Sequence, residues 1–454
     1  MAEIVIVGAG PAGIAAAGLL AGHGRSVTLI DEGLQAGGQG YRRPAPGLAL
    51  DMPALMGSEA ARYRSLHARF SALRPRLDYR PGTLVWAVEG RTLHLLSAGV
   101  ATTLPFEVLI LATGAMDRVA PFPGWAKPGV FTLGGAQVAL KDQGCLIGRR
   151  VAFLGSSPLL GLAAQQYRKL GGEVAVIADT TPFRRKFSAL PGLLRSPRTL
   201  LRGASYLGGA LLAGVPLLQG VTPLAAEGGE HVEGLLLRDG RGRERRYACD
   251  AIALGYGLKP ETQLAELAGA ALIFDEDYRL WLPQADAEGR AAPGLYLAGD
   301  GMTIGGADAA EASGTVVAAA VLADLGETVL ASEVAASHRR LHRLRRFQKS
   351  LAAAFAWPVA QIRALPDEVL LCRCENVSLG EVRAAMAREL GPAEVNRVKA
   401  ITRCGMGRCQ GRVCGPALQE IVAGAADLPG AAAGRLRAQA PVKPVALSAA
   451  GEAP

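Results

Sequence analysis

The chain has 454 residues, of which 50% are hydrophobic and only 5% aromatic, and it carries a formal net charge of +9. That length allows roughly two to four domains, and a composition this apolar excludes extensive disorder and supports cores of Ala, Leu, Val and Gly. The basic balance suits an acidic, phosphate-bearing or membrane-surface partner, but no nucleic-acid-binding motif accompanies it, so no nucleic acid is expected.

Ile4–Val7 reads as a buried strand running into Gly8-Ala9-Gly10-Pro11-Ala12-Gly13, followed by helix-like Ile14–Ala21 and a second strand, Ser26–Ile30, ending in Asp31-Glu32. Because the first strand starts so early, a cleavable leader would have to consume it, and none is expected. In such a β-α-β unit Gly8 permits the tight turn, Gly10 lets the backbone approach a pyrophosphate, and Gly13 lets helix and strand pack closely. The helix start, Pro11-Ala12-Gly13, offers free N–H groups and a partial positive charge to phosphates. Asp31, 18 residues past Gly13, is placed to accept from a ribose hydroxyl, with Glu32 the adjacent alternative.

Further along, a strand at Val108–Leu111 runs into Ala112-Thr113-Gly114, and a similar one ends in Ala298-Gly299-Asp300. Between them lies a second unit: strand Val151–Leu154, turn Gly155-Ser156-Ser157-Pro158-Leu159-Leu160-Gly161, a helix to about Leu170, and a strand, Glu173–Ile177, reaching Asp179. Ser157 and Leu160 replace the second and third glycines and Gly161 falls one residue late, so NAD(P) binding is not expected there. The expected fold is α/β, with two nested Rossmann-like domains, residues 1–118 with 290–330 and residues 119–289. Ala112-Thr113-Gly114 and Gly299-Asp300 resemble the later signatures of two-dinucleotide-domain flavoproteins, which implies FAD in the first unit. In that family the acid at the Asp300 position binds the ribityl chain, the following helix (Ala307 to about Ala323) aims its dipole at the isoalloxazine, and Gly37-Gly38-Gln39 matches a Gly-Gly loop near the flavin.

Two basic patches, Arg184-Arg185-Lys186 and His338–Arg346, read as solvated helix faces, the second on a helical bridge over 331–365. The uncharged run Gly203–Ala226 is interrupted by Pro216 and Pro223 and makes a poor membrane-spanning helix. Five of the seven cysteines cluster between Cys372 and Cys414, as C-x-C, 34 residues, then C-x4-C, with Cys404 just ahead of the second pair. The first pair is narrower than is usual for zinc, and four thiolates suit a [2Fe-2S] centre in a small helical module over 366–425. The expected ligands are Cys372, Cys374, Cys409 and Cys414, although Cys404 leaves the downstream choice open. Glu381–Leu390 reads as the module's first helix, with Arg403, Arg408 and Arg412 moderating the cluster's charge. Cys145 and Cys249 are expected to be buried, inert thiols. Clustered thiols without a disulfide framework indicate a reducing compartment, the cytoplasm. The tail, 426–454, is expected to be mobile.

Gly114-Ala115-Met116-Asp117-Arg118, Pro121-Phe122-Pro123-Gly124-Trp125, Gly134-Gly135-Ala136-Gln137, Cys372-Arg373-Cys374-Glu375 and Gly405–Cys414 together resemble the flavoprotein α subunit of bacterial amine and amino-acid dehydrogenases. That family includes hydrogen cyanide synthase and the opine, hydroxyproline and related proline dehydrogenases. The resemblance implies an electron-transferring chain beside a D-amino-acid-oxidase-like β subunit whose own FAD oxidises the substrate's C–N bond. It also implies an FMN at the subunit interface, in some members a small ferredoxin-like chain, and a quinone or other acceptor, with peripheral contact at the inner membrane. FAD would rest on Gly8, Gly10, Pro11, Ala12, Gly13, Asp31, Glu32, Gly38, Gln39, Thr113, Gly114, Gly299 and Asp300. No acid–base residue is assigned.

Overall fold

A computed structural model describes residues 4–329, 331–387 and 391–446. Short runs of Ile, Leu and Val at Ile4–Val7 (β1), Val27–Ile30 (β2) and, beyond the edge strand Asp78–Arg80 (β3), Val108–Leu111 (β4) are buried on both faces. Such strands pair in parallel with both faces covered, here by helices on one side and by a three-stranded antiparallel sheet over 83–105 on the other. Ile4 sits opposite Val27 on one side and Val108 on the other. The first helix, Pro11–Gly22 (α1), begins three residues earlier than its hydrophobic pattern suggests, because Pro11 fits the first helical position.

After β4 the chain leaves this sheet for a second one, built from Val130–Thr132 (β5), Arg150–Gly155 (β6), Leu159–Lys169 (α2), Glu173–Asp179 (β7), Phe183–Leu193 (α3), Pro197–Leu212 (α4), Leu217–Gln219 (β8) and Ala251–Gly255 (β9). Its strands pair in parallel in the order β8-β7-β6-β9-β5. Two linker strands, Ala115–Asp117 and Leu258–Pro260, pair antiparallel where the chain departs and returns. Arg290–Ala292 (β10) and Leu295–Leu297 (β11) then complete the first sheet, ordered β10-β11-β4-β1-β2-β3. The second unit is therefore inserted in the first, as its glycine-turn pattern indicated.

The helix after β11, Ala307–Asp324 (α5), packs on α1 so closely that a side chain at Gly314 would lie 2.1 Å from the Ala12 carbonyl oxygen. The basic bridge forms a long helix, Ala331–Ala354 (α6), and a short one, Val359–Arg363. The cysteine-rich segment folds as Leu379–Met386 (α7), Val395–Thr402 (α8) and Gly415–Ala425 (α9) beside a small hairpin, Leu370–Cys372 with Val377–Ser378. Its first helix starts two residues ahead of the expected Glu381, because Ser378 and Glu381 form a reciprocal capping box, and the expected stretch 388–390 lies outside the described residues.

The module is not a loose appendage. Val382, Val398, Leu418, Ile421 and Val422 share one buried core with Phe122, Trp125, Val176 and Leu254 of the inserted unit. Of the segment expected as a mobile tail, 426–454, residues 447–454 lie outside the described residues and the rest packs against the protein: it turns at Gly430–Ala433, and Leu436 covers Gly405, Gly411 and Gly415. Arg435 pairs with Glu266, the Val442 N–H donates to Trp86 O, and Lys443 pairs with Glu32. These contacts are what an Ala/Pro/Gly-rich composition conceals. No helix among the described residues is long and apolar enough to cross a membrane.

Candidate functional site

The turn between β1 and α1 is built for a ligand backbone. A Cβ at Gly13 would fall 1.8 Å from Gly8 O, so only glycine lets this helix approach its strand. At Gly10, by contrast, nothing within the protein comes closer than Gly38 Cα at 3.7 Å. Gly13 therefore serves the fold, whereas the open space at Gly10 is left for something else. Gly38 has φ +64° and lies against Gly10, so the Gly37-Gly38 loop closes over the turn. Asp31, at the end of β2, accepts the Ala9 N–H at 2.5 Å and the Gly33 N–H at 2.7 Å. Burial pushes its carboxyl up, and those two donors partly offset the rise. Glu32 is exposed, and Gln39 is turned outward, accepting from Arg42.

The remaining expected contacts converge from other strand ends. Asp300 follows β11 and is half-buried; its Oδ1 accepts the N–H groups of Gly305 (2.8 Å) and Gly306 (3.0 Å) at the start of α5. Burial raises its pKa against those donors, and both of them bond Oδ1, which leaves Oδ2 as an acceptor among the described residues. Gly301 stands beside Thr113, so the β4 and β11 ends meet. The basic α6 covers this loop: Gln348 donates to Gly305 O, Arg340 pairs with Asp308, and Arg345 reaches Met302. This cradle of glycine backbone, helix start and two half-buried carboxylates, Asp31 and Asp300, fits FAD.

The second turn is filled. Ser156 and Ser157 are buried, with Ser156 Oγ 2.5 Å from Thr181 Oγ1 and Ser157 Oγ accepting the Leu159 N–H. Asp179, where a ribose-binding acid would stand, is closed off by Lys186 and the Thr181 N–H.

In the module, Cys372, Cys404 and Cys414 are all buried, with sulfurs within 4.8 Å of one another, while Cys374 and Cys409 form an adjacent hydrogen-bonded pair. The Cys372 thiol is drawn far down, first by S–H donation from Cys404 and then from Cys414, and those two thiols are pushed up. Three sulfurs this close share one negative charge until a cation neutralises the rest. A Cβ at Gly407 would fall 2.5 Å from Cys374 Cβ, so glycine is required where the loop passes that cysteine. Five thiols in this arrangement fit an iron–sulfur cluster. The expected set is brought together as two neighbouring pairs, Cys372 with Cys414 and Cys374 with Cys409; Cys404 joins the first. Elsewhere Cys249 is buried as expected, but Cys145 is exposed, because it lies in the loop after the helix Leu133–Lys141.

The loop between Cys409 and Cys414 docks directly on the flavin-side framework. Arg412 makes two hydrogen bonds to Glu261, at 2.6 and 3.1 Å, and Gln263 Nε2 donates to Gln410 O at 2.8 Å. Glu261 in turn receives the Thr113 hydroxyl at its carbonyl and donates its N–H to Gly114 O. Burial raises the Glu261 carboxyl, but Arg412 and then Lys259 outweigh it and hold the pKa below its ordinary value. Arg412, expected to moderate cluster charge, is thus committed to a buried ion pair, and Arg403 pairs with Glu375. Sequence reasoning missed Glu261, Gln263 and Leu436; no local motif marks them, since Glu261 and Arg412 are 151 positions apart.

Residues 2–321 match the pyridine nucleotide-disulphide oxidoreductase family, and residues 370–424 match the BFD-like [2Fe-2S] binding domain. An opine oxidase subunit of Rhizobium meliloti is 34% identical over 100% of this chain and 88% of its own length. The chain belongs to this oxidoreductase family. Hydrogen cyanide synthase subunit HcnB of Pseudomonas aeruginosa is also 34% identical, over 90% of each chain. The fold matches the L-proline dehydrogenase of P. horikoshii with a TM-score of 0.74, at 21% identity, over 99% of this chain and 79% of that one. As a member of this oxidoreductase family the chain combines a flavoprotein fold with an iron–sulfur module, as its motifs implied.

Proposed function

We propose that this chain is the electron-transferring subunit of a multi-subunit dehydrogenase for an amino acid or opine, working beside a D-amino-acid-oxidase-like β subunit that oxidises the substrate. Relatives named as subunits of opine oxidase and hydrogen cyanide synthase support the reading. The observation that carries it is the docking of the Cys409–Cys414 loop on Glu261 and Gln263, which brackets the two cofactor sites within one hydrogen-bonded framework. When bound, FAD and a [2Fe-2S] cluster supply a two-electron and a one-electron carrier. The chain's own part is to hold them close: Gly8, Gly10, Pro11, Ala12, Gly13, Asp31, Gly38, Thr113, Gly114, Gly299 and Asp300 around the FAD, and Cys372, Cys374, Cys409 and Cys414 around the cluster. An FMN at the subunit interface and a quinone or similar acceptor complete the proposed path.

Each iron of such a cluster takes two thiolates, so the Cys374–Cys409 pair serves one iron, and two of Cys372, Cys404 and Cys414 serve the other. With Cys372 and Cys414 as that pair, Cys404→Ser should keep about two irons and two sulfides per chain, whereas Cys414→Ser should lose both. Iron and acid-labile sulfide analysis decides; bound zinc without sulfide would replace redox chemistry with a structural metal. The filled second turn predicts that NADH, added anaerobically to the purified chain, leaves the flavin absorbance unchanged over minutes. Rapid bleaching would instead identify an independent NAD(P)H-dependent reductase. Assay of the native complex against a panel of opines, proline derivatives and glycine would name the substrate.

A further inference from the structure

From Thr180 to Ala226 the chain contains no Asp or Glu but six cations: Arg184, Arg185, Lys186, Arg195, Arg198 and Arg202. This stretch forms the successive helices α3 and α4. A second acid-free cationic stretch, 334–366, is engaged within the protein, where α6 covers the loop before α5. Lys186 and Arg202 are used internally, paired with Asp179 and Glu59. Arg184, Arg185 and Arg195 are exposed, and no ion pair engages them among the described residues.

The same helices expose apolar side chains at helical spacing. On α3, Ala189 and Leu193 turn inward onto Phe347 of α6, while Phe183 and Phe187, one turn apart, are 65% and 69% exposed, with Leu194 beyond them. On α4, Leu201 (69%) and Leu212 (93%) are exposed. Two exposed phenylalanines next to unpaired arginines have no task within the chain, since the core of α3 is already satisfied on its other side. Single exposed apolar residues are ordinary; an aligned pair of aromatics inside an acid-free cationic segment is not.

We infer that α3 and α4 form a peripheral docking face for an anionic lipid surface. Phe183, Phe187 and Leu194 would enter the headgroup–acyl boundary, while the arginines keep their aliphatic stems along it and their guanidinium groups on the phosphates. A lipid surface joins one sign of charge to an apolar interior, and exposed phenylalanines flanked by exposed arginines match both at once. Neither helix can cross the bilayer, so the attachment is superficial and salt-sensitive. The inference does not depend on the redox reading, since it uses none of the cofactor residues.

The test is flotation of the purified full chain with vesicles of phosphatidylglycerol and phosphatidylethanolamine, and with vesicles of phosphatidylcholine alone, at low and high salt. Binding should be confined to the anionic vesicles and weaken with salt. Arg184→Glu/Arg185→Glu/Arg195→Glu should reduce it at least ~100-fold, from about fivefold per charge, and Phe183→Ser/Phe187→Ser should also abolish stable flotation. All these positions are exposed, so unchanged flavin and cluster absorbance certifies each variant's fold. No flotation with anionic vesicles, equal flotation with neutral ones, or variants that behave as wild type would overturn the inference. So would loss of binding to the purified β subunit in both variants with vesicle binding intact, which would make this face a protein interface.

Discussion

Replacing Gly10 with valine is expected to yield a chain that folds but is purified without flavin colour. Within the protein a Cβ at this position meets only Gly38 Cα, at an ordinary contact distance of 3.7 Å. The added atoms would instead occupy the space over the turn, where a pyrophosphate must approach the backbone. Overpacking of this kind costs about 1–3 kcal/mol, which at about 1.4 kcal/mol per tenfold weakens FAD binding roughly 5- to 140-fold. Gly13→Val is the contrasting control: with Gly8 O only 1.8 Å away, it should disrupt the domain itself. Far-UV circular dichroism, a thermal melt and FAD titration separate the two. A Gly10→Val chain that retains stoichiometric FAD would remove the phosphate-binding role from this turn.

The second large effect is expected at the dock between the two cofactor sites. Glu261→Gln leaves the Arg412 guanidinium buried without its anionic partner, and breaking a buried pair from one side costs about 3–5 kcal/mol. The module's core is shared with the inserted unit, so the fold should survive while the Cys409–Cys414 loop lifts. The cluster should then be lost faster on dialysis, and electron exchange between photoreduced flavin and cluster should slow at least tenfold in rapid-scan absorbance. Glu261→Met combined with Arg412→Met removes both charges of the pair and should restore most of the cluster retention, with the remainder lost because Lys259 then lacks its carboxylate neighbour. If Glu261→Gln exchanges electrons at the wild-type rate, the ion pair is not what holds the sites together.

Both nucleotide-type turns were legible because their chemistry is local: each spells a strand, a glycine turn and a helix within thirty or so residues. The degradation of the second turn was equally visible at Ser157 and Leu160, and the buried hydroxyls of Ser156 and Ser157 give it a physical form. The cysteines were legible as a group, but their pairing was not, since C-x-C and C-x4-C say nothing about which sulfurs meet across the loop. Contacts between distant segments were invisible. Glu261 lies just past the return strand, in a stretch with no motif, and acquires its role only from Arg412, and Leu436 sits in a segment whose composition suggests motion rather than packing.

The nested topology also governs when the FAD pocket can exist. β4 is synthesised early, yet its neighbour β11 and the carboxylate of Asp300 emerge only after the whole inserted unit has left the ribosome. Until then one side of β4 presents an unpaired, wholly apolar edge, a template for aberrant association. Capture of the coenzyme is therefore a late step in biogenesis, and a translation product cut short inside the insertion would be not a weaker enzyme but a chaperone client.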